Sequence, residues 1–188
     1  MVKRRLLLIT GMAGSGKTTL ADLLRERNYK VFTMGDVIRQ EIRMRNLPPT
    51  PENIGKMAQD IRKTGGEDAV AKKCVPLILG ESNSLVALDG IRSMDEVYHF
   101  EAAFDTYLIA IHASRETRYN RLKNRGRSDD PQNKQIFKER DHRELGFGMG
   151  IAIALSDYIL TNENGVNDME KGLDKLLHKL KELDDDQD

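Results

Sequence analysis

The chain has 188 residues, enough for one globular domain with a sizeable core. Lys plus Arg and Asp plus Glu number 30 each, so the net charge is zero and nothing global favours nucleic acid or an anionic membrane. One cysteine, Cys74, excludes an internal disulfide; no apolar run reaches membrane length and the N-terminal one is too short for a signal peptide, so a soluble cytoplasmic protein is expected.

Leu6 to Thr10 reads as a first strand, a short apolar run of the kind buried on both faces of a parallel sheet. Gly11-Met12-Ala13-Gly14-Ser15-Gly16-Lys17-Thr18 follows at once. It fits the phosphate-loop (Walker A) pattern of Gly, four residues, then Gly-Lys-Ser/Thr. Leu20, Leu23 and Leu24 then recur at helical spacing over Lys17 to about Arg27, and Asn28 can end that helix. Strand, glycine loop and helix are the context the motif requires. Glycine lets the backbone adopt otherwise disfavoured dihedrals and approach a ligand closely. The loop's N–H groups then form an anion nest at the positive end of the next helix. Lys17 can reach the β- and γ-phosphates of ATP, Thr18 can offer its hydroxyl to Mg²⁺, and Thr19 lies beside them.

Tyr29 to Thr33 reads as a short strand, and Met34-Gly35-Asp36-Val37-Ile38-Arg39 opens a helix to about Arg45. Thr50 caps a helix with Pro51 at its first position, running to about Lys63 and closed by Gly65-Gly66. Glu67 to about Leu79 is a further helix, with Cys74 as a small core residue. Leu85 to Leu88 is a buried strand ending in Asp89-Gly90; Asp89, at a strand end beside the loop, is the candidate second Mg²⁺ group. Met94 to Phe104 is helical, Tyr107 to Ile111 a strand, and Ser114 caps a helix to Asn124. A turn-rich stretch from Arg125 to Pro131 precedes a charged helix to about Leu145. Gly146, Gly148 and Gly150 break the chain before Ile151 to Leu155. Tyr158 to Leu160 is the fifth strand, and Val166, Met169, Leu173, Leu176, Leu177 and Leu180 mark one face of the last helix. Asp184 to Asp188 is an acidic tail.

Short apolar strands alternating with helices give a doubly wound, five-stranded parallel α/β sheet in one domain over 1–183. The helical block at about 36–80 is expected as a small insertion on one edge, and about 121–145 as a short lid. The four histidines, His99, His112, His142 and His178, have no metal-ligand spacing. The basic residues at 39, 43 and 45 lack aromatic partners, so no nucleic-acid stripe is expected.

With these motifs in place, the chain resembles the nucleoside-monophosphate kinases, adenylate kinase in particular. Over about residues 5 to 162 it is similar to a mostly archaeal, adenylate-kinase-related family without an assigned acceptor. Gly35-Asp36-Val37-Ile38-Arg39 looks like that superfamily's Gly-Asp-x-x-Arg, which implies that Arg39 holds the acceptor's phosphate. Asp89-Gly90-Ile91-Arg92 is similar to Asp-Gly-Phe-Pro-Arg with one residue missing, which implies the same role for Arg92. Glu96 stands where adenylate kinase carries the glutamine that reads adenine; a carboxylate there suits guanine's donor edge better. Arg121 to Asp130, with Arg140 beyond, resembles the lid arginines. The resemblance implies Arg121 and Arg125 near the donor nucleotide, and Arg125, Arg127 and Arg140 stabilising the transferring phosphoryl group. Asp157 to Asn162 resembles the strand-and-loop end of dephospho-coenzyme A kinases, which implies that Asn162 lies beside the donor.

The implied activity is Mg²⁺-dependent transfer of the ATP γ-phosphoryl group to AMP, another nucleoside monophosphate or a similar small phosphorylated acceptor. Two other readings stand beside it. One is a dephospho-coenzyme A kinase-type enzyme phosphorylating a hydroxyl, with Asp36 as base. The other is a nucleotide sensor with little turnover, since a lid this short excludes water poorly.

Overall fold

The computed structural model describes residues 4–83, 85–126 and 130–185. Strands β1 (Arg5–Thr10), β2 (Lys30–Thr33), β3 (Leu85–Ile91), β4 (Asp105–His112) and β5 (Tyr158–Thr161) form one sheet in the order β2-β3-β1-β4-β5. Every pairing is parallel. The doubly wound five-stranded architecture expected from the alternation of elements is therefore present.

The period-two alternation of side chains sorts the apolar residues of β1 to opposite faces. Leu6 and Leu8 join one core cluster; Leu7 and Ile9 join the other. The second cluster is covered by α1 (Lys17–Glu26) and α9 (Val166–Asp185), through Leu20, Leu23 and Leu24 on one side and Met169, Leu173 and Leu177 on the other. The first cluster takes α2 (Met34–Met44), α3 (Pro51–Gly65), α4 (Ala69–Leu79) and α5 (Met94–Glu101). Ile42, Met57, Ile61, Val70 and Ile78 pack into the same core as Leu6, Val86 and Leu88. The helices between β2 and β3 thus cover a face of the sheet with their apolar residues, not only its edge. Cys74 is buried among them, and its desolvated thiol is pushed up to about 12.

Element ends follow local chemistry. Thr50 Oγ1 accepts from Asn53 N at 3.2 Å, with Pro51 at the first helical position, as the sequence predicts. Ser114 caps α6 (Arg115–Arg125) by accepting from Thr117 N. Asn133 caps α7 (Lys134–Gly146) by accepting from Ile136 N at 2.9 Å. Asn28 leaves α1 with φ 63°. α8 (Met149–Ala154) follows Gly148, whose φ is +91°. α5 stops at Glu101, three residues before the predicted Phe104.

One departure sets up the site. The sequence ends the third strand at Asp89-Gly90, but β3 runs on to Ile91 through a bulge. Ile9 pairs with Asp89, and the next residue, Thr10, pairs with Ile91. Gly90, at φ +114°, absorbs the extra residue, and Thr10 Oγ1 donates to Ile91 O at 3.0 Å to pin it.

Candidate active site

The carboxyl ends of β1, β2 and β3 open into a cavity of about 630 Å³. Its lining is dominated by cations: Lys17, Arg25, Arg39, Arg92, Arg121, Arg125 and Arg140, with Asp89 and Glu144 as the anions. This is the end of an open parallel sheet where ligands bind.

The phosphate loop runs from Gly11 to Thr18 between β1 and α1. Gly11, Gly14 and Gly16 have φ of +145°, +80° and +112°. Space matters as much as dihedral. A Cβ on Gly11 would come within 2.5 Å of Ile111 O, and one on Gly14 within 2.8 Å of Arg118 O. A Cβ on Gly16 would strike the Asn162 amide. That amide donates to Ser15 O at 2.8 Å and accepts from Arg121 Nη2 at 3.2 Å. Asn162 is therefore a buttress under the loop and a tether for Arg121. Its own N–H donates to His112 O, and His112 itself turns outward.

Lys17 Nζ donates to Gly11 O at 2.5 Å and to Met12 O at 3.3 Å. Burial lowers its pKa, with Arg92 and Arg140 acting in the same direction against Asp89 and Glu144. The Asp89 carboxyl is raised by burial, opposed by Lys17, Arg25 and Arg92. Among the described residues, three side chains carry a buried polar atom with no partner: Ser15 Oγ, Asp89 Oδ1 and Arg121 Nη1. Orphaned buried groups are costly, and they are retained where a ligand or ion completes them. Asp89 and Arg121 line the cavity and Ser15 lies in the loop.

That donor set fits Mg²⁺ with a polyphosphate. Thr18 and Asp89 both line the cavity. Mg²⁺ takes one or two protein oxygens with phosphates and waters for the rest, so it needs no all-protein cage. No group of three or more His, Cys, Asp or Glu that could hold a metal exists among the described residues.

The two predicted acceptor arginines are held differently. Arg39 forms a two-point pair with Asp36, at 3.2 and 2.8 Å. Asp36 Oδ2 also accepts from Thr33 Oγ1 at 2.6 Å, and these bonds outweigh burial to lower its pKa. Gly35 lines the cavity; Asp36 lines a smaller crevice beside Cys74. Arg92 is more deeply set, its pKa lowered by burial, and its guanidinium lies 5.9 Å from the Phe147 ring.

Glu96 is not brought to the cavity. It is 0 % exposed. One oxygen accepts from Arg62 Nη2 at 2.6 Å and the other from Arg92 N at 2.8 Å. The expectation that it faces an acceptor base runs against this geometry: both oxygens are used to fix α3 against the turn that carries Arg92.

On the lid side, Arg125 holds Asp130 by two bonds, at 3.0 and 2.5 Å. Arg127 lies outside the described residues, as does the tip of the predicted lid. Arg140 Nε donates to Glu144 Oε1 at 3.3 Å. Four groups were missed by the sequence reading. Arg25 lines the cavity from α1. Arg118 and Asp141 form a buried two-point pair at 2.8 and 2.7 Å, and Arg118 also donates to Ala13 O at 3.1 Å. Glu144 Oε2 accepts from Ala13 N at 3.2 Å. The i, i+4 spacing of Arg140 and Glu144 was a readable signal for one helix face; the contacts with Ala13 had none.

Comparison with known proteins agrees with this fold. Residues 10–138 match a family model described as an AAA domain (AAA_17). Among solved structures, TT1252 from Thermus thermophilus superposes with a TM-score of 0.68 at 18 % identity, covering 95 % of this chain and 98 % of that one. Shikimate kinase from Bacteroides thetaiotaomicron superposes with a TM-score of 0.62 at 14 % identity, covering 92 % and 98 %. At such identities the likeness is one of fold: a P-loop, kinase-like α/β fold. Sequence relatives are nearer. A UPF0200 protein of Hyperthermus butylicus is 42 % identical over 177 residues, 94 % of this chain and 95 % of the relative. A UPF0200 protein of Pyrococcus furiosus is 42 % identical over 180 residues, 93 % and 97 %. With near-complete coverage on both sides, the chain belongs to the UPF0200 family and carries its P-loop kinase-like domain.

Proposed function

We propose that this protein is an ATP- and Mg²⁺-dependent kinase that transfers the γ-phosphoryl group to a small phosphorylated acceptor, a nucleoside monophosphate or a compound like it. The observation that carries the reading is the cavity itself: loop, Lys17, Asp89 and five arginines beyond Arg25 converge on one space of about 630 Å³.

In this reading the loop amides and Lys17 bind the donor's β- and γ-phosphates, and Arg121 and Arg125 lie along the donor. Thr18 and Asp89 would hold Mg²⁺, which when bound would supply charge neutralisation at the phosphates. Arg92 and Arg39 fix the acceptor's anionic group; Arg140, with Arg127, offsets charge that grows during transfer. The work is positioning and charge stabilisation. A phosphate acceptor is already ionised, so the reaction needs no dedicated base. With Glu96 engaged by Arg62, acceptor choice rests on the arginines and on cavity shape and not on a carboxylate reading a base.

The test is ADP release with Mg-ATP while AMP, GMP, CMP, UMP and dephospho-coenzyme A are offered in turn, with Lys17→Ala as control. Turnover with one acceptor that disappears in the control supports the proposal. Tight ATP binding without acceptor-dependent turnover would favour a sensor. Turnover with dephospho-coenzyme A alone, lost in Asp36→Asn, would favour the hydroxyl kinase.

A further inference from the structure

Ala13 is gripped from both sides. Its carbonyl accepts from Arg118 on α6, and its N–H donates to Glu144 on α7, 131 residues away in sequence. Glu144 is 7 % exposed, yet it lines the cavity. It stands among Lys17, Arg92 and Arg140, each of which senses its charge or bonds to it. The proposed phosphate transfer has no use for a carboxylate there. A fixed negative charge beside the loop repels the phosphates that the loop is built to take. Ala13 lies in the phosphate loop and lines the cavity together with Glu144, and a single N–H cannot serve a carboxylate and a phosphate that reaches it equally well.

We propose that Glu144 is an internal competitor for the phosphate loop: an incoming phosphate takes the Ala13 N–H from it, and Glu144, in moving aside, alters the bonding of Arg140. The inference rests on the loop taking the donor's phosphates. The competitor sets an affinity threshold. Binding is weakened by the fraction of time Glu144 holds the loop, as for any site whose competent state is only part of the population. It also links donor binding to the lid side. Arg140 sits one helical turn before Glu144 on α7, so the bond that phosphate breaks at Ala13 frees a carboxylate already joined to a catalytic arginine. A purely structural role, as one half of an i, i+4 pair, does not explain why the second oxygen crosses to the loop.

The test is a calorimetric titration of the full chain with Mg-ATP and, separately, with inorganic tripolyphosphate, comparing wild type, Glu144→Gln and Glu144→Asp. Glutamine keeps the shape and removes the charge. It is expected to tighten both ligands about tenfold, the scale of one charge-assisted hydrogen bond lost by the competitor. Aspartate keeps the charge and shortens the reach; it is expected to lie between wild type and Gln. Structural damage weakens binding, so a gain is a readout that damage does not imitate. If ATP binds and Glu144→Gln binds it no tighter, the competitor is overturned. If ATP fails to bind while tripolyphosphate still binds tighter to the Gln variant, the ATP-kinase reading fails and the competitor stands. If neither anion binds wild type or variant, both fail. Should Glu144→Gln lose its thermal transition, Glu144→Asp decides: tighter binding than wild type supports the proposal and equal or weaker binding overturns it.

Discussion

The side of the cavity proposed for the donor and the side proposed for the acceptor are built on different principles. The donor side is local. Eight consecutive residues, Gly11 to Thr18, carry the loop, and each glycine sits at a dihedral or a close approach that a Cβ would spoil. The acceptor side is assembled over distance. Arg92 is positioned by Glu96, which is anchored by Arg62, 34 residues away on α3. Arg39 and Arg92 share one proposed role, yet one is held in an exposed pair with Asp36 and the other is half-buried near the Phe147 ring. A local device survives as a motif; a distributed one survives only as a set of pairings.

The sharpest way to break the donor side is Lys17→Ala. Removing the loop's point charge is expected to lower kcat/KM by about 10³, the scale of a lost preorganised electrostatic contact to a transferring group. Steady-state kinetics with the best acceptor measures it. The acceptor side breaks first as structure. Glu96→Ala leaves Arg62 buried and uncompensated, and is expected to cost about 3 kcal/mol in urea unfolding. Arg62→Met in the same chain should recover most of that loss, because replacing both partners by apolar groups removes the orphan. A Glu96→Ala chain of unchanged stability but switched acceptor preference would restore Glu96 as a base reader.

A smaller contrast separates the two acceptor arginines. Arg92→Ala is expected to raise the acceptor KM about 100-fold and Arg39→Ala only several-fold, since Arg39 is already paired with a partly exposed carboxylate and screened by water. Equal effects would mean that Asp36 releases Arg39 when acceptor binds. The smallest effect concerns Asp89. Burial raises its pKa above the ordinary carboxylate value. An acid whose folded pKa is raised costs stability once ionised, and the cost develops as pH rises from its unfolded value through the raised one, then stays constant. Asp89→Asn is therefore expected to stabilise the metal-free chain by about 1 kcal/mol at neutral pH while weakening Mg²⁺-dependent nucleotide binding. Thermal unfolding with and without Mg-ATP checks both halves; destabilisation without metal would place Asp89 in a purely structural role.

The same contrast explains what the sequence could convey. The loop, the strand before it and the helix after it were legible because their geometry is enforced within one stretch. So were the caps at Thr50 and Ser114, the end of the first helix at Asn28, and the parallel sheet. Asp89 was legible as a strand-end carboxylate, but the bulge that aims it was not: Asp-Gly reads as a turn, and only Thr10 pairing with Ile91 shows the strand continuing. Glu96 was misplaced for a clear reason. Its match to the base-reading glutamine of adenylate kinase implied a ligand contact, whereas its ion-pair partner, Arg62, lies on another helix. Asp141 and Glu144 were passed over because a charged helix such as α7 reads as solvated, and nothing in its pattern announces that these two carboxylates turn inward to Arg118 and Ala13; Arg118 was passed over in the same way on α6.

The central claim is that one cavity at the carboxyl end of β1 and β3 takes the donor's phosphates and their metal. A crystal structure with Mg²⁺ and a non-hydrolysable ATP analogue tests it most directly. The expected result is a triphosphate cradled by the amides of residues 12–18 and by Lys17, with a metal about 2.1 Å from Thr18 Oγ1 and Asp89 beside it or one water away. A nucleotide bound outside this cavity, or a loop that leaves its amides and Lys17 turned from the phosphates, would contradict the account.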